Sequence, residues 1–433
     1  MTPAHGHEAP LSALPLEEYE EIVIFDEWRS LRHVSSRSLT RTRELLQELG
    51  HEPDDVGHRT LGVVGSKGKG TTAAYASAAL AGLGHRVGTV MSPGVVSNAD
   101  RIRIDGVAVD NITRKRALQR IQQARERLPE ASEESGYLAP TGLFIVMAML
   151  MFAEAGVDVV VAEAGIGGAS DDLSHWRLDG VAVTGIFAEH LDLLGPTLAD
   201  VAADKAAVIS ADTQFCLSFA QTPEPAAVLQ ARCAATDTPL LSPDEDADLL
   251  TGHLPLGLQR HNAAVGISAG LQLHQLVQGR RSAEPPLQRG GSLRHAVESV
   301  NYPGRMSVHT TPGGRGCVVD SAVSGTGLAA ALEFARSQLA DVDQVLVCLP
   351  PSKDLSGFVD QLQNFGGRRV FVELTGAYTG MPDRADWPWE WVTQEALSEL
   401  LETGDSLVAG TVLFTSLALR TLGAEAMRLF TLK

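Results

Sequence analysis

The stretch Gly65-Ser66-Lys67-Gly68-Lys69-Gly70-Thr71 follows the apolar run Leu61-Gly62-Val63-Val64 and precedes a helical pattern from about Thr72 to Leu83. Strand, glycine-rich turn and helix in that order predict a phosphate cradle. Glycines let backbone amides turn inward, and a helix N-terminus adds partial positive charge. Lys69 is placed to reach terminal phosphates and Thr71 to hold a magnesium ion. Gly70 stands between the lysine and the hydroxyl, which departs from the common G-x-x-x-x-G-K-[ST] spacing. An ordinary glycine turn between strand and helix would show the same local pattern.

The rest of the chain repeats the alternation. Ser38 to Leu49 predicts an amphipathic helix stopped by Gly50. Arg86 to Val90, Val157 to Ala162 and Gly180 to Phe187 read as strands, and about Thr197 to Ile209 as a helix. The β-branched run Val157 to Ala162 suits a central parallel strand. Such alternation implies a parallel sheet covered on both faces, an α/β fold. Gln278 to Arg294, rich in glycine and arginine, reads as a surface linker. Beyond it, Cys317-Val318-Val319, Gln344 to Cys348, Val370-Phe371-Val372 and Leu413-Phe414 carry a second strand–helix series. A boundary near residue 300 therefore separates residues 1–300 from a smaller α/β domain, 301–433. No internal repeat appears at solenoid periods.

Length and charge narrow the function classes. A chain of 433 residues, 44% hydrophobic and 20% charged, predicts two or three globular domains with a large core. A net charge of -18 argues against nucleic acid or an anionic membrane as the main partner. The four cysteines, Cys216, Cys233, Cys317 and Cys348, are far apart and lack metal spacing, so reduced thiols in the cytoplasm are the simplest reading. Met1 to Pro15 is polar and holds no apolar signal core. The longest apolar run, Phe144 to Ala153, is too short for a bilayer and predicts a buried helix.

Ligands of parallel sheets bind beyond the carboxyl ends of the strands. Three polar groups fall there: Glu163, before Gly165-Ile166-Gly167-Gly168; Glu189-His190; and Lys205 in the next helix. Glu163 with Thr71 would make a first metal site, since magnesium prefers oxygen ligands. Taken singly, Glu163 also fits a solvated strand end, His190 a surface histidine and Lys205 a solvated helix lysine.

Several segments, in order, resemble the folylpolyglutamate synthase and dihydrofolate synthase branch of the Mur ligase family. Its G-T-N-G-K-G-[ST] loop is close to Gly65 to Thr71, and its S-P-H-L...E-R-I to Ser92-Pro93-Gly94-Val95...Asp100-Arg101-Ile102. Its E-x-G-L-G-G-x-x-D resembles Glu163 to Asp171, and its D-H...L-G-x-T...K-A-G-I resembles Glu189-His190...Leu194-Gly195-Pro196-Thr197...Lys205-Ala206-Ala207-Val208. Its Q-x-x-N-A resembles Gln259...Asn262-Ala263, its W-P-G-R Tyr302-Pro303-Gly304-Arg305, its D-G-A-H-N-P Asp320-Ser321-Ala322, and its D-K-D Lys353-Asp354. The matches run from about Arg41 to Ser416.

The resemblance implies a Mur-ligase-type parallel-sheet ATPase domain with a smaller C-terminal α/β domain, and ATP with Mg2+ as cofactors. It implies that Gly65, Ser66, Lys67, Gly68, Lys69, Gly70 and Thr71 hold the phosphates, with Lys69 at the β/γ groups. Thr71 and Glu163 would hold one magnesium and His190 a second, and Lys205 would carry an N-carbamate that helps hold the metal. Asn262 would contact the base side of the nucleotide, and Arg305 and Asp320 would close over it from the second domain. Other family positions are changed: Gly94, Leu138, Ala169, Val323 and Ser324 replace polar or charged residues. The nucleotide half is kept and the acceptor half altered.

The expected activity is ATP-dependent amide formation through an acyl phosphate, on a small carboxylate and a small amine, by a cytoplasmic monomer or homodimer. A true folylpolyglutamate or dihydrofolate synthase, an intramolecular amide-forming cyclase and an ATP-binding protein without ligase chemistry are the alternatives.

Overall fold

The computed structural model describes residues 14–51, 57–279, 290–376 and 380–433. The chain divides into two compact units. Unit 1 holds Met1–Ser92, Arg101–Val300 and Phe430–Lys433; unit 2 holds Pro93–Asp100 and Asn301–Leu429.

Unit 1 is built on an eight-stranded sheet among the described residues. Its strands are β1 (Arg59–Val64), β2 (Val87–Val90), β3 (Ile102–Ile104), β4 (Val107–Ala108), β5 (Val159–Glu163), β6 (Gly180–Val183), β7 (Phe215–Ser218) and β8 (Leu240–Leu241). The order is β4-β3-β2-β5-β1-β6-β7-β8. Pairing is parallel throughout except β2–β3 and β3–β4. In β1 only Arg59 is exposed, and β5 is buried along its length, as β-branched runs covered on both faces should be. The apolar run Phe144 to Ala153 lies in the helix Pro140–Ala155, which opens on a proline, closes on the left-handed Gly156 and is buried in the core. Helix Lys69–Gly82 is nearly all small residues, which lets the helix Leu258–Gln278 pack against it. Helix starts are capped by side chains: Ser38 accepts from the Arg41 amide, and Thr197 with Asp200 forms a capping box.

Unit 2 carries a six-stranded sheet among the described residues, from β9 (Ser307–Thr310), β10 (Gly316–Asp320), β11 (Gln344–Cys348), β12 (Arg368–Glu373), β13 (Glu390–Thr393) and β14 (Ser406–Gly410). The order is β13-β12-β11-β14-β10-β9, parallel except for β9–β10. The four thiols are buried and unlinked. No helix among the described residues is long and apolar enough to cross a membrane.

Four expectations need correction. The helix after the glycine loop begins at Lys69, not near Thr72, because Lys69-Gly70-Thr71 form its first turn. Strand β6 ends at Val183, not Phe187, because the chain from Thr184 leaves the sheet to bond the glycine loop. Leu413-Phe414 lie in the helix Val412–Thr421, and the strand there is β14. Of the linker Gln278 to Arg294, residues 280–289 lie outside the described residues, and Gly290 onward belongs to the helix Gly290–Glu298. Most of Met1 to Pro15 also lies outside them.

Candidate nucleotide-binding site

Sheet order brings the sequence motifs of unit 1 together. Strand β1 sits between β5 and β6, with Val63 paired to both Glu163 and Ala182. The loop after β1, the carboxylate that ends β5 and the chain that leaves β6 therefore share one edge, beyond the strand carboxyl ends.

The loop is held open by its neighbours. The Ser66 and Lys67 amides donate to the Gly185 carbonyl at 2.9 and 3.4 Å. Ser66 Oγ donates to the Phe187 carbonyl at 3.1 Å and accepts from the Phe187 amide at 3.0 Å. Gly65 (φ +135°) and Gly68 (φ +89°) adopt backbone conformations that L side chains rarely take, and a Cβ on either would lie 2.0 Å from Thr184 Oγ1 or Asn262 Nδ2 respectively. Thr184 Oγ1 and Asn262 Oδ1 are buried without a hydrogen-bond partner among the described residues. A cradle that excludes Cβ atoms, with unsatisfied polar atoms on its wall and a helix N-terminus at its end, fits a phosphate chain.

Two lysines converge on this loop. Lys69 Nζ and Lys205 Nζ each donate to the Gly65 carbonyl at 3.0 Å. Lys205 is buried and also pairs with Glu189 Oε1 at 3.2 Å. Burial first, then the Lys69 charge, pulls the Lys205 pKa down; Glu189 opposes the shift. Thr71 is buried in the first turn of helix Lys69–Gly82. Glu163 is buried and accepts from the Ser92 amide at 3.0 Å. His190 stands exposed at φ +50°, the residue before the short helix Leu191–Leu194.

Direct contacts thus join Gly65, Ser66, Lys67, Gly68, Lys69, Lys205 and Asn262. Asn262 packs on Gly68, and its carbonyl accepts from Thr72 Oγ1 at 2.9 Å. Arg305 and Asp320 belong to unit 2. There Asp320 Oδ2 accepts from the Met306 amide at 2.8 Å, and Arg305 Nη1 donates to the Gly304 carbonyl at 2.9 Å. No group of three or more His, Cys, Asp or Glu side chains is gathered as a metal cage among the described residues.

The altered positions have structural work here. Leu138 is fully buried in the core of unit 1, and Ser324 caps the helix Gly325–Gln338 by accepting from the Gly327 amide. Sequence reasoning missed Thr184, Gly185 and Asp204. The first two follow a strand that seemed to continue, and Asp204 was hidden beside the more conspicuous Lys205.

No family model matches the chain. It is 36% identical over 199 residues to a probable bifunctional folylpolyglutamate synthase/dihydropteroate synthase of Haloferax volcanii, across 45% of this chain; the chain spans 23% of that protein's length. It is 27% identical over 417 residues to a dihydrofolate synthase/folylpolyglutamate synthase of Mycobacterium tuberculosis, covering 86% of this chain and 82% of the relative. A crystal structure of Mycobacterium tuberculosis folylpolyglutamate synthase complexed with ADP and AMPPCP superposes with a TM-score of 0.77 at 20% identity, over 94% of this chain and 99% of the other.

Proposed function

We propose that this chain, a member of the folylpolyglutamate/dihydrofolate synthase-like branch of the Mur ligase family, is an ATP-dependent, ADP-forming ligase that joins a carboxylate to an amine. The observation that carries the reading is the convergence of Lys69 and Lys205 on the Gly65 carbonyl, in a loop whose glycines leave no room for a side chain.

The substrate carboxylate oxygen attacks the γ-phosphorus, the bond to the β,γ-bridging oxygen breaks, and ADP leaves. The amine nitrogen then attacks the acyl carbon, the carbon–oxygen bond breaks, phosphate leaves, and the amine proton passes to solvent. Lys69 swings from Gly65 to the transferring group, where a fixed positive charge acts most strongly. The loop amides and the start of helix Lys69–Gly82 hold the remaining phosphates. Bound magnesium, held with Thr71, Glu163, His190 and Lys205, would neutralise charge on the phosphoryl group. The depressed pKa of Lys205 favours the neutral amine that an N-carbamate requires. Within unit 1, Asn262 would complete the nucleotide contacts. The enzyme works in the cytoplasm, as a monomer or homodimer, on small molecules.

We assign the acceptor to a specialised pair of substrates rather than to folate and glutamate. Leu138 is sealed in the core and offers no polar group to a charged acceptor, and Ser324 is a neutral hydroxyl that accepts a helix-capping bond from the Gly327 amide. The relatives' names favour the second reading, glutamate addition to a folate. Incubation with ATP, magnesium, glutamate and a reduced folate or dihydropteroate, beside a panel of other carboxylates and amines, separates the two. ADP release and product mass are expected from the panel. Efficient glutamate addition, at a kcat/KM of about 10⁴ M⁻¹s⁻¹ or more, establishes the folate reading instead.

A further inference from the structure

The loop of residues 165–170 connects β5, which ends at Glu163, to the segment before β6. It is gripped from two sides. Asp171 Oδ2 accepts from the Gly165 and Ile166 amides at 3.1 and 3.2 Å. Asp204, the neighbour of Lys205 on the helix Leu198–Ala206, accepts from the Gly168 amide at 2.7 Å, the Ser170 amide at 3.2 Å and Ser170 Oγ at 3.1 Å. The Asp204 carbonyl accepts from the Ala169 amide at 2.9 Å.

From the other side comes Arg37. Its backbone pairs with Tyr137, and the flanking bonds Ser38 N to Tyr137 O (2.9 Å) and Tyr137 N to Ser36 O (3.2 Å) fix where its side chain starts. Arg37 Nη2 donates to the Ile166 carbonyl at 2.8 Å and to Ser170 Oγ at 2.9 Å, and Nη1 pairs with Asp171 Oδ2 at 3.5 Å. One guanidinium thus holds both ends of the loop. A planar fork with fixed donor directions does this; a flexible ammonium does not. Ser170 Oγ accepts from Arg37 and donates to Asp204, so an unbroken relay runs from Arg37 to the residue beside Lys205.

We infer that Arg37 is a positioning residue for the reaction: through Ser170 and Asp204 it holds the loop 165–170 so that Glu163, before the loop, and Lys205, beside Asp204, keep one spacing. The inference rests on the ligase reading. Two groups that share a metal must stay in register to fractions of an ångström, and residues that orient them are worth nearly as much as the ligands.

The test uses the full chain with Arg37→Met, and Ser170→Ala as a milder break in the same relay. The first readout needs no substrate: hydrogen exchange of the peptide spanning 163–171. In Arg37→Met its amides should exchange about tenfold faster or more, as expected for loss of charged hydrogen bonds, while those of Lys69–Gly82 stay unchanged. The second readout is kinetic. On the best substrate of the unaltered enzyme, kcat should fall on the order of 10–100-fold and the magnesium needed for half-maximal rate should rise. KM for ATP should stay within about twofold, because the phosphate loop is untouched. Ser170→Ala should move every value the same way and less. Unchanged exchange in 163–171, equal loosening of Lys69–Gly82, or a rise in KM for ATP at constant kcat overturns the inference. If the unaltered chain forms no amide at all, the ligase reading fails, and the exchange result still decides whether Arg37 holds the loop.

Discussion

Replacing Gly68 by alanine should damage the nucleotide site by two separable routes. Gly68 has φ +89°, where an L side chain costs about 1–2 kcal/mol. The added Cβ would also lie 2.0 Å from Asn262 Nδ2 and 2.3 Å from its Cγ. Asn262 is buried, so it cannot swing clear, and overlap of that kind costs about 1–3 kcal/mol. The two contributions together predict a loss of about 2–5 kcal/mol. In an Asn262→Ala background the overlap disappears and only the backbone cost of about 1–2 kcal/mol remains. A double-mutant cycle therefore has a defined sign and a coupling of about 1–3 kcal/mol. Because the chain has two units, a single unfolding midpoint is ambiguous. Hydrogen exchange of the β1 and β5 amides reads unit 1 alone. An equal cost of Gly68→Ala in both backgrounds would refute the packing argument.

Lys69→Ala should lower kcat on the order of 10²–10³-fold with hydrogen exchange of the β1 and β5 amides unchanged, since the lysine acts on transition-state charge and not on the core; near-normal ADP release would contradict the loop assignment. Asp172, buried first of all and beside Asp171, has its pKa pushed up from 3.8 to about 7. The unfolded chain releases this proton near pH 4 and the folded chain only near pH 7, so the group weakens folding increasingly as pH rises between those values. Asp172→Asn keeps an oxygen for Thr42 Oγ1, now at 2.6 Å, and should stabilise the protein on the order of 1–4 kcal/mol at pH 8. The advantage should vanish near pH 4. Hydrogen exchange of the β1 and β5 amides, compared between variant and unaltered chain at both pH values, checks it, and an equal effect at the two would remove the titration argument.

How far the sequence foretold this structure depended on the kind of signal. Buried parallel strands such as β1, β5 and β11 announce themselves as β-branched runs, and the glycine loop is marked by its lysines and its place between a strand and a helix. Where a run of apolar residues leaves the sheet, the signal fails. Gly180 to Phe187 reads as one strand, but its second half turns away to bond Ser66 and Lys67, a choice made by a distant loop. The helix Leu16–Leu31 was not foreseen, since its apolar residues are spread round the axis and its burial depends on Tyr19, Val23 and Ile24 meeting partners far along the chain. Among the candidate site residues, Lys69 stood out by its loop and Glu163 by its strand end, whereas Lys205 taken singly read as a solvated helix lysine and gained its role only from the resemblance. Arg37 and Asp204 did not stand out. Each acts by bonding backbone groups of a loop remote in sequence, and an isolated arginine or aspartate carries no mark of that.

The central claim is that this site activates a carboxylate by phosphorylation. The direct measurement is isotope transfer from an accepted carboxylate substrate labelled with ¹⁸O on both oxygens, with ATP, magnesium and the amine, followed by mass analysis of phosphate and nucleotide. An acyl phosphate requires one ¹⁸O to arrive in each inorganic phosphate released, with ADP and amide formed in equal amounts. Phosphate free of ¹⁸O, or AMP in place of ADP, would contradict it.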